Sequence, residues 1–195
     1  LINTDYNYLL FNNSKNVSEI ISIENKINQN GKTTLELKDS IKHSYPKEGT
    51  HLRLTNSALK KEIIDSKIKL ENKGLNIDTF VYPYNGYFPL VREIAAKNYA
   101  AARAGYRNGE SFPEAFLNNS PIKEYRLKAA AIESNLIKER DIFKLLEETK
   151  NKKALLIFYA HPHSDNFKLK RVKEILNYAV KNDIKITTFR ELFSS

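Results

Sequence analysis

Cysteine, methionine and tryptophan are all missing from the 195 residues, and glycine and proline occur six times each. Without cysteine there is no disulfide, no thiolate nucleophile and no sulfur-ligated metal site. The redox compartment stays open, because secreted proteins do not require disulfides. No apolar run approaches the ~20 residues of a membrane-spanning helix, and no signal peptide is visible. No nucleic-acid motif appears, and the lysines are spread over helical segments instead of one stripe, so no nucleic-acid partner is expected. The chain opens at Leu1 without an initiator, which reads as a fragment of a longer protein.

What is present is a 41% hydrophobic chain with 32 basic and 23 acidic side chains, a net charge of +9. That length and content predict a single domain over residues 1–195. The positive charge fits attraction to an acidic surface, an envelope polymer among others. AT-rich coding writes the same Lys, Asn and Ile excess and is the favoured reading.

Strand-like and helix-like segments alternate, the signature of an α/β architecture. The spacing of Val17, Ile20, Ile21, Ile23 and Ile27 predicts a helix over residues 17–30, closed by Asn30-Gly31. A short strand is expected at 33–37, then a polar loop at 38–56 carrying His43, Pro46, Gly49 and His51. Ser57 caps the next predicted helix, which Gly74 ends, and DTFVY at 78–82 reads as a strand stopped by Pro83. Helix at 90–98, strand at 99–102, a long polar connection at 104–127, strand at 128–132 and helix at 141–149 follow. The series closes with an amphipathic helix at 169–179, a strand at 184–187 and a short terminal helix.

The sharpest feature is ALLIFYAHPHSD, residues 154–165. Seven uncharged residues rich in Ile, Phe and Tyr read as a strand buried on both faces, and Pro162 ends it. An imidazole, His161, therefore stands at the carboxyl end of a core strand, where α/β sheets and barrels place their active sites. A plain loop histidine is the other reading. His43 and His51, eight apart, could share a metal only across a looped-out segment, which Pro46 and Gly49 permit. By spacing alone the metal signal is weak, and two solvent histidines in a polar loop are the favoured reading.

The order of these segments resembles the polysaccharide deacetylases of the NodB type, carbohydrate esterase family 4. His43-Ser44-Tyr45 is similar to the front of that family's metal motif, and Thr50-His51-Leu52-Arg53-Leu54-Thr55 to its back, with Pro46 to Gly49 inserted. ALKKEIIDSKIKLENKG followed by DTFVYPYNGY is similar to its helix and its strand ending in Pro-Tyr-Gly. Tyr99-Ala100-Ala101-Ala102-Arg103 resembles the next strand, and LLIFYAHP the last histidine motif. The likeness runs from Gly31 to Phe193 in the right order.

The resemblance implies a distorted (β/α) barrel and hydrolysis of N-acetyl groups from an amino-sugar polysaccharide of the cell envelope. A divalent metal, usually zinc, would polarise the acetyl carbonyl and activate water. His43 and His51 become its ligands by this carry-over. The backbone N–H of Tyr84 becomes the oxyanion donor, and His161 the general acid, a task for which an imidazole's ordinary pKa near ~6.5 is suited. Pro83 and Arg103 would lie at the substrate, with Leu155 and Ile157 walling the acetyl pocket. His163 and Asp165 read as loop polar residues.

Besides the insertion at residues 46–49, the chain departs from the family pattern in two places. The Thr-Phe-Asp-Asp-Gly motif, source of the base and the third ligand, is not found. Leu1-Ile2-Asn3-Thr4 resembles the family's second strand, which sets the first strand and both Asp upstream and leaves Asp39 as a fallback ligand. The Trp-containing motif is missing as well. A catalytically silent deacetylase-like domain that binds glycan or a protein partner is the alternative these departures keep open.

Overall fold

The computed structural model describes residues 2–106, 109–133 and 136–193. The chain forms two compact units, Leu1–Lys73 and Gly74–Ser195.

The first unit is an antiparallel sheet of β1 (Asn7–Asn12), β2 (Val17–Gln29), β3 (Lys32–Leu37) and β4 (Thr50–Leu54), in the order β3-β2-β1-β4. Helix α1 (Asn56–Glu71) follows, its first turn capped by the Thr55 hydroxyl, which accepts the Ala58 N–H at 3.2 Å. Thr55, and not Ser57, is thus the cap.

The helix expected at 17–30 is a strand. All five of its apolar residues are β-branched, which lowers helix propensity and favours a pleated surface. Asn30 and Gly31 both take positive φ, 50° and 71°, the geometry of a tight hairpin turn that joins β2 to β3. Ile20 adds an exposed apolar side chain beside the buried Ile21, and a register shift between Ile23 and Asn25 puts Ile27 out of phase, so the sequence pattern imitates a helical period. Before that bulge, Ile21 and Ile23 face the core with Tyr8, and Leu10, Leu35, Leu37, Leu52 and Leu54 pack around them. Strand β4 lies inside the segment expected to be loop, where Thr50 to Leu54 complete the sheet beside β1.

The second unit follows the sequence reading more closely. Its elements are β5 (Thr79–Val81), α2 (Pro89–Asn98), β6 (Ala101–Arg103), β7 (Leu117–Asn118), β8 (Ala130–Ala131), α3 (Glu139–Lys152), β9 (Leu155–Leu156), β10 (Phe158–Tyr159), α4 (Leu169–Lys181) and α5 (Phe189–Phe193). β5 pairs in parallel with β6, a parallel bridge joins Arg103 to Leu127, and β8 pairs in parallel with β10. Backbone bonds extend each step, with Ala104 N–H donating to Leu127 C=O at 2.8 Å and Ile132 N–H to Tyr159 C=O at 3.0 Å. Parallel segments therefore neighbour one another in chain order, with α2 and α3 as crossovers.

Small residues make this close array: Ala101, Ala102, Ala129 and Ala130 are fully buried. Ile142, Leu145 and Leu146 of α3 lie in one cluster with Leu117, Ala130 and Ile175, and each such aliphatic side chain contributes about 1.5–3 kcal/mol by leaving water. The 154–160 run splits in two. β9 pairs antiparallel with β7, and the buried Ile157 then turns the chain onto β8. Its flanking residues are half-buried, not enclosed on both faces. Residues 184–187, expected as a strand, have no strand partner among the described residues.

Candidate functional site

The carboxyl ends of the parallel segments carry the second unit's polar chemistry. Glu133 follows β8 as His161 follows β10. Its side chain is 1% exposed, and its Oε1 accepts the His161 backbone N–H at 2.5 Å and meets the His161 ring Nδ1 at 2.7 Å. The imidazole itself is 51% exposed, so a buried carboxylate holds a ring that solvent and substrate can reach. Burial pushes the Glu133 carboxyl up. Its own amide N–H, the His161 ring and the His161 amide pull it down, and the balance lies below the ordinary carboxylate value.

Tyr159 connects this pair to the neighbouring strand ends. Its ring meets the His161 ring edge-on at 5.6 Å, lies 4.5 Å from the Arg103 guanidinium carbon, and its hydroxyl is hydrogen-bonded by the Asn85 side chain. Burial lowers the Arg103 pKa, and Tyr159 opposes that shift. Gly105 leaves room for Asn85, since a Cβ there would stand 2.5 Å from its amide nitrogen. His163 touches the His161 ring at 5.9 Å and belongs to the same patch.

Pro83 opens a short turn in which Tyr84 and Asn85 both adopt left-handed backbone, φ 53° and 58°. For residues other than glycine this costs roughly 1–2 kcal/mol each, and Tyr84, 93% exposed, regains none of it through burial. The turn bonds run from the Asn85 and Gly86 N–H groups, and the Tyr84 N–H has no acceptor among the described residues. Beside it lies a cleft of about 710 Å³ whose lining includes Tyr84, Asn85, Tyr106, Lys123, Arg126 and Lys128.

The sequence-derived site is thus brought together only in part. His161, Arg103 and Asn85 converge through Tyr159, and Tyr84 adjoins Asn85. Leu155 and Ile157 do not line this cleft. They wall a separate apolar cavity of about 740 Å³ with α4 and residues 183–189, and they pack with Ala101, Leu127 and Ala129 and with the α5 rings of Phe189 and Phe193.

His43 and His51 belong to the first unit and are carried on opposite faces of its sheet. His51 pairs directly with Phe11, their rings 5.5 Å apart. Glu19 pairs with Leu10, on the other face of β1, and its carboxylate receives the backbone N–H groups of Lys42 and His43. The His43 ring meets Tyr45 edge-on at 6.4 Å. Among the described residues no three His, Asp or Glu side chains form a group able to hold a metal ion, and Asp39 supplies no third ligand. These residues do not fit the metal that the resemblance implies.

Sequence reasoning missed Glu133. The signal was present, since a carboxylate directly follows the small-residue strand at 129–132 just as the imidazole follows its own strand. Compared with protein-family models, curated proteins and solved structures, the chain has no match.

Proposed function

We propose that this chain is a deacetylase-type hydrolase that removes N-acetyl groups from an amino-sugar polysaccharide of the cell envelope. The observation carrying this reading is the exposed His161 imidazole backed by the buried Glu133 carboxylate at the ends of adjacent parallel strands. The chain-order adjacency of those strands supports the barrel architecture of the same proposal. Water adds to the acetyl carbonyl and gives one proton to the His161 imidazole; the C–N bond then breaks as the imidazole passes that proton to the leaving nitrogen, and acetic acid and a free amine leave. His161 delivers the proton that the departing amine needs, and Glu133 holds its ring in one tautomer and orientation, as a positioning residue. The unengaged Tyr84 N–H is suited to the developing oxyanion.

A second reading, a silent glycan-binding domain, is favoured by one observation: His43 and His51 lie on opposite faces of their sheet. Acetate release from an N-acetylglucosamine hexamer separates the two. The hydrolase reading expects release by the wild type and its loss in His161→Ala. Binding of the hexamer without release, or release unchanged in His161→Ala, would overturn it.

A further inference from the structure

The cleft beside Tyr84 carries two cations that no carboxylate among the described residues pairs with. Among the described residues Glu110 is the one acidic side chain in its lining, and it is engaged by Lys128, whose Nζ lies 2.6 Å from it and 2.7 Å from the Glu114 carbonyl. The amides are engaged too. Asn118 binds the Lys128 and Leu155 carbonyls and the Lys128 N–H, and Asn119 binds Glu114. Two exposed cations remain, Lys123 and Arg126, and neither has a carboxylate partner among the described residues.

Their placement is set by the backbone. Lys123 precedes and Arg126 ends one tight turn (Glu124–Arg126), closed by the Arg126 N–H to the Lys123 C=O at 2.8 Å. Residues three apart in such a turn project to the same side, and both line the cleft. A guanidinium fork and an ammonium point charge together complement carboxylate or phosphate oxygens. The exposed Tyr84 ring offers an apolar face against which a sugar ring can lie.

The geometry points to a cleft that selects an amino-sugar polymer bearing fixed negative charge, as carboxylate or phosphate, over a neutral one. This rests on the glycan reading above and names the substrate class of the same unit. The chain's net charge of +9 would strengthen the attraction at low ionic strength.

Calorimetry with three probes tests it: an N-acetylglucosamine hexamer, a hyaluronan hexasaccharide as carboxylate source, and an N-acetylglucosamine 1-phosphate oligomer as phosphate source. At low salt the wild type is expected to bind one or both anionic probes roughly three- to tenfold tighter than the neutral hexamer, as two solvent-exposed charge pairs permit. The better anionic probe identifies the source. The preference should shrink toward one at about 0.5 M salt and fall to about one in Lys123→Ala/Arg126→Ala. Circular dichroism checks the fold of that variant, and Lys123→Gln/Arg126→Gln repeats the test with longer side chains. Equal affinities in the wild type, or a preference that survives both double variants, would overturn the inference. Acetate release from the neutral hexamer, run in parallel, separates the two ideas. Release without anionic preference removes this inference alone. Preference without release removes the hydrolytic reading and keeps the cleft's selectivity, and neither binding nor release removes both.

Discussion

Each unit joins a glutamate to a histidine, and the two joints are built for different ends. In the first unit the Glu19 carboxylate takes the backbone N–H groups of Lys42 and His43, at 2.9 and 3.3 Å, and leaves the His43 imidazole against Tyr45. In the second, Glu133 takes both the amide and the ring nitrogen of His161. Glu133 is buried, and Glu19 is only half-buried at the sheet. Glu19 thereby ties down a loop, whereas Glu133 fixes the orientation of an imidazole. A histidine near a carboxylate is not yet a catalytic pair, because the ring must be the partner and the carboxylate must be dry enough for the bond to hold.

The largest expected contrast is in turnover. His161→Ala should lower acetate release about 10²- to 10⁴-fold, the usual worth of a positioned acid, while His43→Ala changes it less than about twofold. Both rates come from one coupled acetate assay, and the reverse ranking would assign the chemistry to the wrong unit.

Stability should separate the same pair. Glu133→Gln loses a buried charge-assisted partner and is expected to cost about 1–3 kcal/mol in urea unfolding. Glu19→Gln, beside solvent, should cost less than about 1 kcal/mol. Equal costs would mean that burial does not distinguish the two joints.

Acid sharpens the comparison further. The Glu133 carboxyl is held below its ordinary value in the fold, so its stabilisation is complete above the unfolded carboxylate range and is lost as pH falls through the lowered folded value. Glu19 is also lowered, chiefly by the Lys42 N–H, and has the same sign. Glu133→Gln should therefore flatten the acid limb of the stability profile, and Glu19→Gln should act in the same direction. An unchanged limb in Glu133→Gln would remove the carboxylate's charge from the fold's energetics.

The two units also differ in how far their sequences could be read. The helices of the second announce themselves: apolar stripes at helical spacing give α2, α3 and α4, and Pro83 and Pro162 close their strands where a ladder must end. Non-local pairing hid the rest. β2 imitates a helix because Ile20 is apolar on the solvent face and a bulge shifts Ile27 out of phase, and β4 is five residues of a polar-looking loop that become a strand only beside β1. Residues 184–187 have strand-like side chains but no strand partner. The site was half legible, since His161 stands after a conspicuous apolar run. Glu133 stands after alanines, whose burial depends on helices packed from elsewhere. As the smallest test of this view, Gly31→Ala should cost about 1 kcal/mol, because φ 71° strains any side chain there. A neutral effect in urea unfolding would deny the turn its role in setting the β2–β3 register.

The most direct trial of the central claim is a double-mutant cycle in acetate release across Glu133→Gln and His161→Ala. If Glu133 acts through the imidazole, its replacement lowers the wild-type rate and changes nothing once His161 is alanine. Equal losses in both backgrounds would show that the two residues act independently and would contradict the account.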